Sequence, residues 1–193
     1  MIYIICAFET EARAIIDAYR LVKQQNPPYT IFTSSEIVLL ISDMGQVNAR
    51  MAAEYLLSNF SIQENDCFLN LGICAANEKY PIGSLLQIKN IMNKTESFAL
   101  DPLNPSILTV SCFSANEPVD KIPSCDIAEM EALSLHQGIR SSFAPHKISF
   151  LKIVSDHFKP VAFKKQFIIQ LVQNNIKEIK AHIDRLKGEH RES

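Results

Sequence analysis

Ile-Tyr-Ile-Ile-Cys-Ala, at residues 2–7, is followed at once by Phe-Glu-Thr-Glu-Ala at residues 8–12. The first of these stretches is a continuous apolar run, which is typical of a strand buried on both faces of a sheet. From residue 9 to residue 20 the spacing becomes helical, and one side carries Ala12, Ile15, Ile16 and Tyr19. A buried strand that leads directly into a helix predicts an α/β fold.

The rest of the chain continues this alternation of strand and helix patterns. Apolar runs predict further strands at residues 29–33, 36–42, 67–74, 83–91, 107–112 and 148–154. Helical spacing predicts helices at residues 48–59, 127–137 and 162–187, and only residues 93–105 and 114–124 resemble loops. The last of these helices has apolar residues at helical spacing from Phe163 to Leu186, so it is predicted to cover the sheet.

Strands interleaved with helices predict a three-layer αβα sandwich with a mixed central β-sheet. The chain has 193 residues, of which 47% are hydrophobic and 21% are charged, so it can bury one sizeable core. No repeat, linker or charge block divides it. We therefore expect a single domain over residues 1–193.

The composition excludes several classes of function. The formal net charge of -2 lacks the basic excess of a dedicated nucleic-acid binder. There are only 5 glycines, and neither GxGxxG nor GxxxxGK[ST] occurs, which argues against a dinucleotide or P-loop site. The 5 cysteines form no zinc-ligand pattern and are interpreted as reduced core residues. We expect neither a metal nor an organic cofactor.

The N-terminus is apolar but lacks the features of a targeting segment. It has no basic region, meets Glu9 after eight residues, and offers no window of ~18 apolar residues that can span a membrane. The sequence therefore predicts a soluble cytoplasmic protein with no membrane partner.

Acidic residues follow the predicted strands at several places. Glu9 and Glu11 follow the first strand, Asp156 follows the last, and Glu129 and Glu131 begin a predicted helix. Because ligands of α/β sheets bind beyond the carboxyl ends of the strands, these carboxylates are candidate site residues. The alternative for each is a structural role, since a carboxylate in a first helical turn is favoured by the helix dipole.

Five short motifs that include these residues resemble the nucleoside phosphorylase superfamily. They lie at residues 4–12, 42–49, 70–76, 129–132 and 154–156. Within the superfamily the chain is most similar to the 5'-methylthioadenosine/S-adenosylhomocysteine nucleosidases and their futalosine hydrolase-like relatives. The resemblance covers most of residues 1–187 and implies the phosphorylase/hydrolase-like variant of the fold.

The resemblance also implies roles for individual residues. Glu11 would activate the attacking water, and Asp156 would donate a proton to the purine N7, which requires its carboxyl to be protonated at neutral pH. Glu131 would bind the ribose hydroxyls, with Met130 packed beneath the sugar. The remaining residues that the resemblance places at the substrate are Met44, Ile73, Cys74, Ala75, Phe113, Glu129 and Ser155.

Some positions depart from the family pattern. Ala75 and Ala76 replace two glycines, and their methyl groups narrow a site built for close approach of the backbone. Phe113 is a candidate to stack on the base, and a core position is the alternative. His157, which follows the presumed acid, is either a second proton carrier or a solvent-facing histidine.

Three functions remain open at this point. The leading hypothesis is hydrolysis of a purine nucleoside or thionucleoside, because a loop with two carboxylates repels phosphate. In the superfamily's phosphorylases arginines hold that phosphate; here Arg13 and Arg50 are interpreted as helix-surface charges. The alternatives are phosphorolysis, or a degenerate member that binds a nucleoside without turnover.

The helix predicted at residues 48–59 suggests a partner. Met51, Ala52, Tyr55 and Leu56 lie on one of its sides, and an exposed apolar stripe favours association. The nucleosidases that the sequence resembles pair as homodimers, so a homodimer is predicted. The alternative is that these residues pack under the protein's own sheet.

Overall fold

The strands of the protein form one mixed sheet. A computed structural model describes residues 1–25, 28–120, 124–159 and 164–188. Its strands are β1 (Ile2–Cys6), β2 (Val22–Gln24), β3 (Thr30–Thr33), β4 (Ile37–Ile41), β5 (Cys67–Ala76), β6 (Leu85–Met92), β7 (Ser97–Ala99), β8 (Leu108–Ser114), β9 (Ile127–Glu129) and β10 (Ile148–Asp156). Parallel and antiparallel pairs both occur, so the prediction of a mixed central sheet is confirmed.

Helices cover two sides of this sheet. They are α1 (Glu9–Tyr19), α2 (Gln46–Asn59), α3 (Ala132–Ile139), α4 (Lys165–Asn174) and α5 (Ile176–Lys187), with a short 3-10 turn at Pro145–Lys147. The apolar faces of α2 and α3 pack into one core cluster, and those of α1, α4 and α5 pack into a second. Strand β1 contributes Tyr3 and Ile5 to the first cluster and Ile2, Ile4 and Cys6 to the second. It is therefore buried on both faces, as its apolar run predicted.

The sheet closes on itself. Strand β5 pairs with β1 along its first half and with β9 at its last residues, while β10 runs along its other edge. The pairings β10 with β6, β6 with β8 and β8 with β9 then complete a ring of strands back to β5. The fold is thus a barrel-like sheet with helices outside it, and the predicted three-layer αβα sandwich is not confirmed in that detail. The long strand β5 permits the closure because it has room for two partners on one edge.

Several element predictions need correction. Residues 127–137 were predicted as one helix, but Ile127–Glu129 is the strand β9, which non-local pairing with β5 and β8 holds extended. The predicted helix at 162–187 is two helices that break at Asn175, and residues 162 and 163 lie outside the described residues. The predicted loop at 93–105 contains β7, and β2 was not predicted. Residues 121–123 of the loop predicted at 114–124 also lie outside the described part.

All of the cysteines are free and buried, as the sequence predicted. In the described part of the chain, no helix has the length and apolar character needed to cross a bilayer.

The topology brings distant residues to one edge of the sheet. Strands β1, β5 and β10 are mutually parallel, so their carboxyl ends lie side by side. The segments that follow β1, end β5 and end β10 carry Glu11, Ile73 and Asp156 respectively. Residues that are far apart in sequence therefore meet at this edge.

Candidate active site

A cavity of about 310 Å³ lies at the carboxyl ends of β1, β5 and β10. Every predicted site residue except Phe113 lines it: Glu11, Met44, Ile73, Cys74, Ala75, Glu129, Met130, Glu131, Ser155 and Asp156. The cavity is of the size that holds a small organic ligand.

Glu11 is held in place by backbone amides at the floor of this cavity. It lies in the first turn of α1, where its Oε2 accepts a hydrogen bond of 2.9 Å from the Phe8 N–H. Its Oε1 accepts one of 2.9 Å from the Ile73 N–H on β5. The side chain is buried, and burial raises the pKa of Glu11 although Lys152 and the amides oppose that shift. One carboxylate therefore joins the entry to α1 to the end of β5.

Lys152 is a buried cation that the sequence analysis missed. It lies in the middle of β10 with a side chain 1% exposed, and its Nζ is 2.9 Å from Glu129 Oε2 and 3.6 Å from Glu131 Oε2. Burial would lower the pKa of Lys152, but the surrounding carboxylates raise it above its ordinary value, so the ammonium stays charged. A lone lysine in an otherwise apolar strand was the available signal, because buried lysines need a partner.

Gly72 allows Glu11 and Lys152 to approach the same point. A Cβ built on this glycine would lie 3.1 Å from Glu11 Oε1 and 3.3 Å from Lys152 Nζ. Any side chain at residue 72 would therefore press on both groups. We call Glu11, Glu129, Glu131 and Lys152 the carboxylate cluster.

Both carboxylate oxygens of Glu129 are engaged by protein donors. The Ser114 hydroxyl donates to its Oε1 at 2.6 Å, and the N–H groups of Glu131 and Ala132 donate to its Oε2 at 2.9 Å each. Burial would raise the pKa of Glu129, but Lys152 and these donors hold it below its ordinary value. Glu129 therefore remains ionised and positions Lys152, with few acceptor sites left for a ligand.

Glu131 accepts fewer hydrogen bonds than Glu129, so it has acceptor capacity left for a ligand. Its Oε1 accepts a hydrogen bond of 3.2 Å from the Gly45 N–H, and its Oε2 faces Lys152 at 3.6 Å. Burial, opposed by Lys152 but aided by Glu129 and Glu11, raises the pKa of Glu131 to about 7. Glu131 therefore titrates near neutral pH.

Asp156 also lines the cavity, at the point where β10 finishes. The register between β10 and β5 shifts between Val154 and Asp156, and such an irregularity re-aims a side chain at a strand end. The Ser155 Oγ lies 2.9 Å from Asp156 Oδ2 and 3.1 Å from the Cys74 carbonyl oxygen. We call Ser155, Asp156 and Phe158, which also lines the cavity, the acid end.

Phe113 lies away from the cavity, and the reason is the alternation of side chains along β8. Its neighbour Ser114 points toward Glu129, so Phe113 points to the other face of the strand. The aromatic residues that line the cavity are Phe8 and Phe158, and the segment after β8 contributes Ala115, Glu117, Pro118 and Val119.

Other candidates from the sequence also lie outside the cavity. Arg13 pairs with Glu9, and Arg50 pairs with Glu54 at 3.0 Å, so both are helix-surface charges, as interpreted. His157 places its Nδ1 3.0 Å from the Ala76 carbonyl oxygen. Ala76 is buried in the core, so of the neighbouring residues Ala75 and Ala76 only Ala75 lines the cavity.

The structure bears on two other kinds of chemistry, a cysteine nucleophile and a metal ion. Burial raises the pKa of the Cys74 thiol well above its ordinary value, so it is a neutral wall of the cavity. Among the described residues, no group of three or more His, Cys, Asp and Glu side chains is arranged to hold a metal ion.

No protein family's sequence profile matches the chain. A search of curated protein sequences also finds no match. Solved structures do match over almost the whole length, and they define the fold as that of the nucleosidases that the sequence resembles.

Three of these structures illustrate the likeness. The 5'-methylthioadenosine/S-adenosylhomocysteine nucleosidase of Campylobacter jejuni has a TM-score of 0.75 and 18% identity, covering 97% of this chain and 98% of its own. The nucleosidase of S. pneumoniae, solved with a transition-state inhibitor, has a TM-score of 0.78 and 17% identity, covering 96% and 99%. A futalosine hydrolase mutant of Helicobacter pylori has a TM-score of 0.78 and 14% identity, covering 95% and 98%. At these identities the likeness is one of fold, and it agrees with the resemblance and with the predicted mixed α/β class.

Proposed function

We propose that this chain is a nucleosidase, which hydrolyses the N-glycosidic bond of a purine nucleoside or a 5'-substituted thionucleoside. The observation that carries the proposal is the meeting of Glu11, Glu131 and Asp156 around one cavity. Cleavage of an N-glycosidic bond develops positive charge on the ribose and negative charge on the base, so it needs carboxylates near the sugar and an acid near the base. The names of the structural neighbours, 5'-methylthioadenosine/S-adenosylhomocysteine nucleosidase and futalosine hydrolase, support the same reaction class.

Glu11 is the proposed base for the attacking water. Both of its oxygens are fixed by backbone N–H groups, so the carboxylate is pre-oriented and needs no rearrangement during the reaction. Burial raises its pKa, and a carboxylate of higher pKa is a better proton acceptor once it is ionised. Lys152 lies nearby and offsets part of the negative charge of the cluster.

Asp156 is the proposed acid, and Ser155 supports it. A hydroxyl has one hydrogen, so Ser155 can donate either to the Cys74 carbonyl oxygen or to Asp156 Oδ2, both of which lie in range. While Asp156 is protonated, Ser155 can donate to Cys74. After the proton has moved to the base, Ser155 can rotate and stabilise the new carboxylate.

Glu131 is the proposed ligand of the ribose hydroxyls, with Met130 beside it in the cavity wall. A carboxylate that accepts from hydroxyls forms charge-assisted hydrogen bonds of ~1.5–3 kcal/mol each. Glu129 is proposed to position Lys152 and not to bind the ribose, because its oxygens are engaged by Lys152, Ser114 and the first turn of α3.

Water is favoured over phosphate as the nucleophile. The buried cation of the cluster, Lys152, is already paired with Glu129 and faces Glu131. A phosphate placed there would meet the carboxylates of the cluster, and like charges close together in a buried site are costly.

The test is turnover of a panel of purine nucleosides and 5'-thionucleosides in phosphate-free buffer, with free base measured by chromatography. We expect release of base and free sugar, and we expect Glu11→Gln to abolish release while nucleoside still binds. Turnover that requires phosphate and yields ribose 1-phosphate would make the chain a phosphorylase. Binding without any release by the unaltered chain would make it a non-catalytic nucleoside binder.

We also propose a homodimer, on a revised surface of α2. Ala52 and Leu56, which were predicted to lie in an exposed apolar stripe, are fully buried in the protein's own core. The exposed apolar residues of α2 are Val47, at 72%, and Met51, at 53%. Phe8 and Met44, which line the cavity, are also exposed. An apolar surface at the mouth of a site favours a second copy. Light scattering at micromolar concentration tests this, and a constant mass near 21.7 kDa would contradict it.

A further inference from the structure

Phe158 lies in the bend after β10, two residues beyond Asp156, and its side chain lines the cavity. Its backbone has φ of 58°, in the left-handed region that bulky side chains rarely adopt. The ring is partly exposed, so packing in a core does not account for it. A strained backbone at a cavity wall is an observation that calls for a functional reason.

The other described non-glycine residues with positive φ lie elsewhere. Arg20 has φ of 52° and ends α1, where its N–H bonds back to carbonyls of that helix. Asp43 has φ of 64° in the segment before α2 and is exposed. Within the described residues, Phe158 is thus the strained non-glycine position whose side chain faces the cavity.

The position of Phe158 within the cavity indicates which part of a ligand it meets. The second aromatic residue of the cavity, Phe8, immediately precedes α1, and its N–H holds Glu11. Phe8 therefore lies beside Glu11 of the carboxylate cluster, where the sugar and the water are proposed to lie. Phe158 belongs to the acid end, where Asp156 meets the base.

Neither β8 nor residues 115–119 bring an aromatic ring into the cavity. Phe113 points away from the cavity, and the segment 115–119 lines it with Ala115, Glu117, Pro118 and Val119. An aromatic base needs an apolar or aromatic face against it in order to bind tightly.

We propose that Phe158 is the residue that stacks on the base of the bound nucleoside, held in contact with it by its left-handed backbone. This inference rests on the proposed function. It makes Phe158 a specificity residue for aromatic bases and assigns the base to a wall formed after β10.

The test compares Phe158→Gly, Phe158→Tyr and the matched control Arg20→Gly. Each is measured for kcat and KM on the best nucleoside of the panel, or for Kd if the chain binds without turnover, and for thermal stability. Phe158→Gly is expected to raise KM by roughly 5- to 150-fold, the range for loss of one base stack. kcat changes little, because the stack is present in the ground state and the transition state alike.

Stability separates this role from a structural one. Glycine relieves the left-handed strain, so Phe158→Gly should be as stable as the unaltered chain or more stable, although it binds more weakly. Phe158→Tyr keeps an aromatic ring and should have the KM of the unaltered chain. Arg20→Gly should also leave KM unchanged.

Three results would overturn the inference, and they can be told apart. An unchanged KM in a folded Phe158→Gly protein would overturn it while leaving the proposed function in place. A raised KM accompanied by lost stability, with no rescue by Phe158→Tyr, would show that Phe158 only supports the fold. Failure of the unaltered chain to bind or cleave any nucleoside would overturn the proposed function, and this inference with it.

Discussion

The carboxylate cluster and the acid end are built on different physical principles. In the carboxylate cluster the charged atoms are buried, and Glu11, Glu129 and Lys152 each have named partners at hydrogen-bond distance. At the acid end Asp156 and Phe158 are partly exposed and follow an irregularity in β10. Buried networks hold groups in one geometry because each unpaired member would be costly. The cluster is therefore suited to orienting reacting groups, and the acid end to adapting to different bases.

This contrast predicts that the carboxylate cluster and the acid end respond differently to substitution. Changes in the cluster should affect both folding and activity, because charge burial and catalysis share the same atoms. Changes at the acid end should affect activity without a loss of stability.

The largest expected effect is that of Asp156→Asn at the acid end. An amide has the shape of the acid but delivers no proton, so the rate of base release should fall by ~10²–10⁴-fold. The unfolding midpoint should stay the same, because the Asp156 side chain is partly exposed and accepts its hydrogen bond from the neighbouring Ser155. Steady-state kinetics and thermal unfolding of the same sample measure both quantities.

The control for this variant is Asp101→Asn, which changes an exposed aspartate that does not line the cavity. It should leave both rate and stability unchanged. Full turnover by a folded Asp156→Asn protein would remove Asp156 from the role of acid.

Lys152→Met should have the largest effect on stability. It leaves buried carboxylates without their cation, and breaking a buried ion pair in this way costs about 3–5 kcal/mol of unfolding free energy. The loss should be greatest in mildly alkaline buffer and smaller in mildly acidic buffer, where the carboxylates take up protons and become neutral. Urea unfolding at several pH values measures it.

Arg50→Met is the matched control, since it removes a cation from an exposed pair with Glu54. It should cost at most about 1 kcal/mol, with little dependence on pH. Equal losses for Lys152→Met and Arg50→Met would show that the cluster is not a buried network in solution.

The sequence predicted the parts of this comparison that local patterns determine. The apolar run at 2–7 and its switch to helical spacing were enough for β1 and α1, and the parallel order of the strands explains why Glu11 and Asp156 meet. Strand β9 could not be predicted, because Ile127 is extended through pairing with Ala76 and Cys112, which are distant in sequence.

The site was harder to predict than the fold for a similar reason. The role of Lys152 depends on carboxylates from α1 and β9 that only the folded chain brings to it. The position of Phe113 outside the cavity depends on strand register, because a shift of one residue moves a side chain to the other face of the strand.

A smaller effect is expected from the pH dependence of riboside binding. The pKa of Glu131 is raised to about 7, above its ordinary value of 4.5, so between these values the folded chain holds a proton that the unfolded chain has released. The contribution of Glu131 to stability therefore falls as pH rises through this window. Ribose hydroxyls prefer the ionised carboxylate, so riboside affinity should rise with pH up to about 7 and then level off.

Titration calorimetry with a riboside and its 2'-deoxy analogue measures this dependence. The change should be at most ~10-fold per pH unit for one titrating group, and smaller for the deoxy compound. Glu131→Gln should bind more weakly at every pH and show a flat profile. A steep profile in Glu131→Gln would assign the titration to another group.

The smallest expected effect belongs to Glu117, an exposed carboxylate in the cavity wall. Together with the cluster it makes the cavity repel anions, so a nucleoside 5'-monophosphate should bind more weakly than the nucleoside itself. Glu117→Gln should improve binding of the monophosphate relative to the nucleoside by only a few-fold, because exposed charges interact by about 0–1 kcal/mol in water.

Competition assays at low and high salt measure the ratio, and the improvement should vanish at high salt, where exposed charges are screened. Glu78→Gln, an exposed change outside the cavity wall, is the control. An improvement of Glu117→Gln that persists at high salt would mean that Glu117 meets the ligand directly in a site closed to solvent, and that the wall after β8 contributes as much to ligand choice as the acid end does.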